Sequence, residues 1–173
     1  MLLTVGHGTS SAEELSDRLR AAEVELLVDV RRFPGSRRHP HLSREALQEW
    51  LPVRYRWEER LGGRRSLPDG SPDVALRNAA FRGYASWMRG TEFRAALREV
   101  LASPLRTAVM CSETVWWRCH RRLVADAAVL LHGTEVAHLM PGGRLAPHLP
   151  TDGVRVDGDR LVYDVLATDP VPP

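Results

Sequence analysis

The most conspicuous absence in this sequence is lysine, because all 24 of its lysine or arginine positions are arginine. Cysteine is scarce as well, and two cysteines in 173 residues exclude a disulfide-rich secreted scaffold. The sequence also lacks a long apolar run and a basic leader followed by an apolar stretch. We therefore expect a cytoplasmic protein with reduced thiols and no membrane partner.

The chain has little net charge, formally +2 at pH 7. A charge this small argues against nucleic-acid binding by bulk electrostatics, so such binding would need a local cluster of arginines. Hydrophobic residues make up 43% of the sequence and charged residues 27%, which is typical of globular proteins. A chain of 173 residues with this composition is long enough to bury a core.

One stretch, residues 105–131, predicts a buried strand, a loop and a helix. An apolar run ends at Cys111, and a second apolar segment begins after Arg122. In open α/β sheets, ligands bind beyond the carboxyl ends of the strands, where helix N-termini offer unpaired N–H groups. Five side chains are expected to face a cleft there, the last three from the first turn of the helix: Cys111, Glu113, Cys119, His120 and Arg121.

The first apolar segment, residues 2–5, predicts a strand whose carboxyl end reaches the same edge of the sheet. It leads to Gly6 and His7, and the pair Ser11 and Glu14 then forms the capping box of a helix. A histidine at such a position is about as often hydrogen-bonded to the backbone as it is functional. We treat His7 as a candidate catalytic residue and Gly6 as part of an anion-binding loop.

Residues 25–30 predict a second strand, apolar except for Asp29, as expected for a parallel strand covered on both faces. A carboxylate near Arg31 forms either a structural ion pair, which is the commoner case, or an acid, base or ligand group aimed at the cleft. The loop of residues 33–41 follows, and its prolines and glycine preclude regular structure. Arg31 and Arg37 are candidate anion-binding residues in this region.

The remaining segments predict further elements from their hydrophobic spacing and turn residues. They are a helix capped by Ser43 and ended by Pro52, a half-exposed strand over residues 53–57, a helix from Ser71 and Pro72 to Gly90, a helix capped by Thr91 and ended at Ser103, a strand over residues 134–139 and a hairpin over residues 154–163. Between them, Leu61-Gly62-Gly63 is either a plain turn or a close approach of the backbone to a ligand.

This order predicts an α/β fold: a Rossmann-like three-layer sandwich with a mainly parallel sheet of about five strands, plus a C-terminal β-hairpin appendage. We expect residues 1–140 to form the Rossmann-like domain. Residues 141–173 are expected to form a C-terminal extension with the hairpin, packed on the same domain, with Pro170–Pro173 frayed.

Three chemistries compete for the predicted site. A phosphatase-type loop would use Cys111 as nucleophile, but Arg118 follows seven residues later, one more than that loop has. A metal site could use Cys111, Cys119 and His120, although cysteines eight residues apart are not the close pair typical of zinc sites. A carboxylate-based hydrolase would use Glu113 or Asp29 as base or nucleophile, and we place it slightly ahead of the other two.

The cysteines themselves allow two interpretations. A single free cysteine is most often a buried and inert residue. Cys119, however, lies beside Arg118 and Arg121 at the predicted start of a helix, and this surrounding predicts a thiol pKa below the usual value. A thiol or metal role for Cys111 and Cys119 therefore stays open.

The hypothesis that uses most candidates together is an enzyme acting on a phosphate-bearing substrate, a nucleotide or a nucleic acid, because arginine forks match phosphate oxygens. The alternative is a nucleic-acid-binding module without catalysis that grips phosphates through residues 31–38 and 54–56. No metal ligand is assigned and the cofactor is unknown. The predicted catalytic residues are Glu113, Asp29, His7 and Cys111, and the predicted anion-binding residues are Arg31, Arg121, His120, Cys119, Gly6 and Arg37.

Four ordered motifs support a family resemblance: Thr4-Val5-Gly6-His7, Asp29-Val30-Arg31 with Pro34 and Ser36, Leu61-Gly62-Gly63, and Cys111-Ser112-Glu113 with Cys119-His120-Arg121. Their combination, which covers roughly residues 1–139, closely resembles the bacterial and archaeal family catalogued as domain of unknown function 488 (DUF488). The resemblance implies a Rossmann-like α/β fold and no established activity. The chain departs from the family pattern at Gly8, where serine is usual, at Ser112, where alanine is usual, and near Trp116, where proline is usual.

Overall fold

A six-stranded sheet forms the middle of the computed structural model, which describes residues 1–166. Its strands are β1 (Leu2–Gly6), β2 (Leu26–Asp29), β3 (Arg54–Trp57), β4 (Thr107–Cys111), β5 (Val136–Leu139) and β6 (Leu145–Pro147), in the spatial order β3-β2-β4-β1-β5-β6. The first five are parallel, and β6 runs antiparallel to β5. Two more strands, β7 (Val154–Asp157) and β8 (Arg160–Tyr163), form a separate antiparallel hairpin.

Helices cover both faces of this sheet. Within residues 1–166 they are α1 (Ala12–Ala21), α2 (Arg44–Trp50), α3 (Ala79–Met88), α4 (Thr91–Leu101) and α5 (Arg121–His132). Leu15 of α1 and Leu47 of α2 pack with Leu3 of β1 in one apolar cluster. Buried residues of α3, α4 and α5 form a second cluster with Val109 of β4. The predicted α/β fold with a mainly parallel sheet and a C-terminal hairpin is confirmed.

Local signals of the sequence place α1 and α2 as predicted. The Ser11 hydroxyl accepts a hydrogen bond from the N–H of Glu14, whose carboxylate accepts one from the N–H of Ser11, so the capping box is present. Ser43 caps α2 by accepting a hydrogen bond from the N–H of Ala46. These hydroxyls satisfy N–H groups that the first turn of a helix leaves unpaired.

Two predicted helix starts are wrong. The helix predicted from Ser71 and Pro72 begins only at Ala79, where the Asn78 side chain supplies the cap. At α4, the N-cap is Gly90 without a side-chain hydrogen bond, so the predicted cap, Thr91, is the first helical residue instead.

Tertiary hydrogen bonds explain why residues 71–78 are not helical. Asp73 is fully buried and accepts hydrogen bonds from the Arg89 guanidinium, at 2.9 Å, and from the backbone N–H of Tyr163, at 3.2 Å. The N–H of Ala75 donates to the carbonyl of Tyr163. These hydrogen bonds hold the segment against β8. In a helix, the Asp73 carboxylate and the Ala75 N–H would not be placed to bond Tyr163 of the hairpin.

The start of α5 also differs from the prediction. A short 3₁₀ turn, Trp116–Arg118, precedes it, and Cys119 has an extended backbone with φ −123° and ψ 149°. His120 is the N-cap, so only Arg121 of the three predicted residues lies in the first helical turn. The placement of Cys119 and His120 inside the helix is therefore wrong, although both remain at its amino end.

The hairpin is part of the core. Leu161 and Tyr163 of β8 are buried in the cluster that includes α5, and the Tyr163 hydroxyl donates to the carboxylate of Asp126. The division into residues 1–140 and 141–173 stays a prediction, and β6, which the sequence did not predict, joins the main sheet from within the second range. The expected fraying of Pro170–Pro173 lies outside the described residues. Among residues 1–166, we find no helix with the length and apolar character needed to span a bilayer.

The topology leaves an opening between the ends of β1 and β4. Gly6 and Cys111 are register partners at the carboxyl ends of these neighbouring strands, and Asp29 is the partner of Met110 one strand further. The chain leaves β1 toward α1 on one face and leaves β4 toward α5 on the other face. Ligand clefts of α/β sheets form where the connections after two neighbouring strands go to opposite faces in this way.

Candidate active site

A cleft with a volume of about 490 Å³ opens at this edge of the sheet. Six of the ten predicted site residues line it: His7, Arg31, Cys111, Glu113, Cys119 and His120. Asp29, Arg121, Gly6 and Arg37 are not among the lining residues. Segments far apart in the sequence thus converge as the strand order requires.

Two thiols and one imidazole meet at the floor of the cleft. Nδ1 of His120 lies 3.7 Å from Sγ of Cys119 and 3.9 Å from Sγ of Cys111. Both cysteines are buried and neither forms a disulfide. Spacing in the sequence argued against a metal site at these residues, whereas the fold brings all three ligand atoms within 4.8 Å of one another.

The His120 ring is held in one orientation. Its Nε2 lies 3.2 Å from the carbonyl oxygen of Val30, and because a carbonyl only accepts, Nε2 must carry the proton of that hydrogen bond. The ring also packs edge-on against Tyr84, with centroids 4.9 Å apart. In the neutral imidazole, Nδ1 then presents a lone pair to Cys111 and Cys119.

The two thiols differ in acidity. Burial by itself raises the pKa of Cys119. The hydrogen bond from Cys111 and the positive charge of Arg121 outweigh this effect and lower the pKa to about 6. The Nε–H of Arg121 donates to Cys119 Sγ at 3.3 Å. The hydrogen bond to Cys119, together with burial, raises the pKa of Cys111 to about 12. Near neutral pH, Cys119 carries the charge of the pair and Cys111 keeps its proton.

Asp29 forms the structural ion pair that was the commoner expectation. It is fully buried and accepts hydrogen bonds from the backbone and side chain of Arg31 at 2.5–3.0 Å, and from the Tyr55 hydroxyl at 2.7 Å. The guanidinium of Arg31 also donates to the carbonyl of Leu42. Asp29 therefore orients Arg31, and the charge that Arg31 brings to the cleft is largely compensated.

His7 is a buried and neutral histidine. Burial and the charge of Arg31 lower its pKa to about 4. Its Nδ1 donates to the carbonyl of Gly8 at 3.0 Å, so Nε2 is the nitrogen that accepts from Arg31, at 3.2 Å. Both ring nitrogens are engaged with the protein, which limits His7 to orienting neighbours unless one of these bonds opens.

Glu113 and Arg121 occupy opposite environments. The carboxylate of Glu113 is exposed at the rim, without a side-chain hydrogen bond among residues 1–166, and is free to meet a ligand. Arg121 is buried below it, where its guanidinium donates to the backbone carbonyl of Glu113 and to Cys119. Gly6 packs against the same segment, because a Cβ there would lie 2.0 Å from the Glu113 carbonyl oxygen.

Three exposed arginines at the rim are not among the predicted anion-binding residues. Arg32, Arg64 and Arg118 line the cleft, are exposed, and form no ion pair with any residue of the described range 1–166. Arg37, the predicted one, is exposed outside the cleft. Arg64 directly follows the paired glycines at positions 62 and 63. A basic residue after such a loop is the sequence signal that could have identified it as a residue of the site.

Aromatic residues form another side of the cleft. Phe33 is 64% exposed, and Phe81 and Tyr84 of α3 also line the cavity. Tyr84 is buried, and its hydroxyl donates to the carbonyl of Leu61. The sequence predicted a helix in this region but gave no indication that its first turn borders a cleft.

The comparisons with known proteins concern the family alone. A family model described as "Domain of unknown function DUF488" matches residues 11–128, which is more than half of the chain. The match includes Asp29, Cys111, Cys119 and His120. No curated protein and no solved structure matches the chain.

Proposed function

The chain belongs to the DUF488 family, and on that premise we propose that it is an enzyme acting on a phosphate-bearing substrate in the cleft beyond β1, β2 and β4. One observation carries the proposal. Two buried thiols of shifted pKa, Cys111 and Cys119, and the half-buried His120 form the floor of a cleft whose rim holds arginines without an ion pair in residues 1–166. Such a combination is typical of a reactive site for an anion.

Charge at the rim supports an anionic substrate. The guanidinium groups of Arg32, Arg64 and Arg118 are free of carboxylate partners within residues 1–166. Planar guanidinium forks match phosphate oxygens in pairs and form charge-assisted hydrogen bonds. The aromatic faces of Phe33 and Phe81 beside them suit a nucleobase, which favours a nucleotide within this substrate class.

The residues divide into reacting and positioning groups. We assign Glu113 as general base or acid, because its carboxylate is exposed at the rim and accepts no hydrogen bond from residues 1–166. Cys119 is the candidate nucleophile or ligand at the floor, with its charge stabilised by Arg121. Asp29 acts through Arg31, and both are positioning residues.

Binding is tested by calorimetric titration with ADP as the probe. The double variant R32Q/R64Q is expected to bind ADP at least about tenfold more weakly, because each lost charge-assisted hydrogen bond costs about 1.5–3 kcal/mol. The matched control is R37Q/R38Q, which removes the same charge from the loop outside the cleft. An equal loss in both variants would contradict binding in the cleft.

Turnover is tested with para-nitrophenyl phosphate and bis(para-nitrophenyl) phosphate as general probes of monoester and diester cleavage. We expect E113Q to lower kcat by at least about 100-fold while ADP affinity is retained, since a positioned acid or base contributes about 10²–10⁴-fold. E49Q, at an exposed glutamate of α2, is the control for the loss of one carboxylate.

A nucleic-acid-binding role is the outcome that would replace this proposal. It would appear as oligonucleotide binding that weakens steeply with salt and is unchanged in E113Q. We further propose that the protein acts in the cytoplasm, where a reducing environment keeps Cys111 and Cys119 as thiols.

A further inference from the structure

The distances between the ligand atoms at the floor of the cleft are close to those of a zinc site. In tetrahedral zinc sites, with Zn–S distances of about 2.3 Å and Zn–N distances of about 2.0–2.1 Å, sulfur and nitrogen ligands lie about 3.6 Å apart. His120 Nδ1 lies 3.7 Å from Cys119 Sγ and 3.9 Å from Cys111 Sγ. Both sulfur–nitrogen distances are therefore within a few tenths of an ångström of those in a zinc site, and all three ligand atoms lie within 4.8 Å of one another.

We propose that Cys111, Cys119 and His120 bind one divalent, thiolate-preferring metal ion, of which Zn²⁺ is the best fit, with the remaining coordination position open to the cleft. Two thiolates and an imidazole are the soft and borderline donors that Zn²⁺ prefers over Mg²⁺ or Ca²⁺. All three donors line the cleft, so a fourth ligand can enter from there. Three protein ligands with one open position are typical of catalytic zinc sites.

The surroundings of the ligands support a metal centre independently. Imidazoles that bind metals usually donate their other N–H to a carbonyl or carboxylate, which fixes ring and tautomer. His120 does so with Nε2 and the Val30 carbonyl, at 3.2 Å. The Arg121 Nε–H donates to Cys119 Sγ, as groups around metal-bound thiolates commonly do.

Gly63 keeps the space beside His120 open. A Cβ at this position would lie 2.9 Å from His120 Nδ1, the nitrogen that faces the sulfurs. Its φ is not positive, so the glycine is required here for space and not for backbone conformation. Gly63, the second of the paired glycines, thus allows the backbone to approach the imidazole of His120 closely.

Charge also favours a cation between the thiols. Two buried thiolates side by side repel each other unless a cation lies between them. A divalent ion neutralises two thiolates, and the buried Arg121 guanidinium, which donates to Cys119 Sγ, then adds a positive charge at the floor of the cleft. The open coordination position suits an anionic oxygen such as that of a phosphate, although its use by a substrate rests on the proposed function.

The first test is a titration of the reduced, metal-free wild-type protein with Co²⁺. We expect thiolate-to-cobalt charge-transfer absorption and the d–d bands of tetrahedral Co²⁺, saturating at one ion per chain and abolished by Zn²⁺. X-ray absorption of the zinc form should show sulfur at about 2.3 Å and nitrogen or oxygen at about 2.0–2.1 Å. If no charge-transfer band appears, or the sulfur shell is missing, the metal site does not exist.

Variants locate the site by comparing the two ends of α5. H120N is expected to bind Co²⁺ at least about 100-fold more weakly, because even indirect partners of a ligand contribute about 10–100-fold. The control H132N makes the same replacement at the last residue of the helix and should leave the affinity unchanged. G63A keeps every ligand and should weaken binding about tenfold by displacing the ring. Equal affinities in H120N and H132N would overturn the assignment.

A redox pair is the competing explanation, and the same samples distinguish it. Alkylation followed by mass spectrometry counts free thiols before and after oxidation. A Cys111–Cys119 disulfide that forms readily, in a protein whose reduced form binds no Co²⁺, would replace the metal site by a thiol switch. Cobalt binding without ADP binding would keep the metal site and reject the proposed function, whereas phosphoester cleavage by a protein that binds no Co²⁺ would do the opposite.

Discussion

Gly6 lies at the end of β1 against the loop that carries Glu113. A Cβ at this position would be 2.0 Å from the carbonyl oxygen of Glu113 and 2.6 Å from that of Thr114. Real Cβ atoms do not approach backbone atoms so closely, and a backbone cannot move aside as a flexible side chain can. The glycine is therefore needed for packing under the cleft and leaves no room for an anion at its own Cα.

We expect G6A to destabilise the fold by about 3 kcal/mol or more, because overpacking against two carbonyls forces β1 and the loop apart. Gly35, also at the cleft, has no atom within 4 Å of its Cβ position, so G35A should change stability by less than about 0.5 kcal/mol. Urea unfolding measures both. Equal stabilities would contradict the close packing at Gly6.

His138 belongs to a buried chain of hydrogen bonds outside the cleft. The Thr4 hydroxyl lies 2.7 Å from its Nδ1, and its Nε2 lies 3.0 Å from Nδ1 of His148, whose Nε2 is 2.9 Å from the Asp126 carboxylate. With Nε2–H on both rings, each nitrogen has a partner. Trp116 stacks on the His138 ring at 4.0 Å. This series of hydrogen bonds connects β1, β5 and α5.

The stability of the protein should fall in mild acid through His138. Burial, together with the neighbouring His148 and Arg121, lowers its pKa from 6.5 to about 3. Between these values the unfolded chain binds a proton that the folded chain does not, so the free energy of unfolding decreases as pH falls. We expect a loss of about 2 kcal/mol from pH 7 to pH 5.

The measurement is a series of urea unfolding curves between pH 7 and pH 5, for wild type and H138Q. The variant should show a shallower dependence on pH, whatever its stability at pH 7. His7, whose pKa is also lowered, to about 4, contributes a dependence of the same sign that both proteins share. Parallel pH profiles would exclude His138 as the source.

At the scale of elements, one ion pair joins three of them beside the cleft. Asp29 ends β2, Tyr55 lies on β3, and Arg31 reaches the carbonyl of Leu42 before α2. The Asp29 carboxylate is fully buried among these partners, whereas Arg31 also lines the cleft. The ion pair therefore sets where the chain after β2 turns toward the cleft.

Replacing Asp29 by alanine should destabilise the protein by about 3–5 kcal/mol, because it leaves the Arg31 charge buried and unpaired. Y55F removes only one hydrogen bond to the same carboxylate and should cost about 1.5–3 kcal/mol. Thermal unfolding of D29A and Y55F, compared with wild type, tests this order. An Asp29 variant of unchanged stability would point to a role other than the structural one.

At the scale of the whole molecule, the hairpin completes the core around α5. Tyr163 and Leu161 of β8 are buried, and Tyr163 donates to Asp126 while its backbone bonds Asp73 and Ala75. The matched family region ends at residue 128, before β5 and the hairpin. The core of this chain therefore extends beyond the part that identifies its family.

A chain shortened to end at Pro150 should lose cooperative thermal unfolding, because it exposes the apolar cluster and leaves Asp126 and Asp73 without their partners in the hairpin. The matched point variants are Y163A, expected to cost about 3–5 kcal/mol, and V156A, at an exposed position of β7, expected to be neutral. Calorimetry and binding of a hydrophobic dye measure the effect. A sharp transition in the shortened chain would show that the hairpin is dispensable.

Local features of this protein could be predicted from its sequence. Hydrophobic runs placed β1, β2 and β4, hydroxyl caps placed α1 and α2, and alternating residues around the turn at Asp157 and Gly158 placed the hairpin. These signals are local because hydrogen bonds within four residues, or the burial of one continuous face, decide them. The same alternation of strands and helices determined that the strand ends meet at one edge.

Only the tertiary structure decided what the residues at that edge do. The Asp29 carboxylate points toward Arg31 and not into the cleft, and this orientation depends on the hydrogen bond from Tyr55, 26 positions away. The start of α3 depends on Asp73 and its bonds to the hairpin, 90 positions later. The Cys111, Cys119 and His120 cluster depends on the turn before α5 and on the carbonyl of Val30, just after β2, which holds the His120 ring from 90 positions away. Burial, charge compensation and ligand distances are sums over such distant partners, and no local pattern contains them.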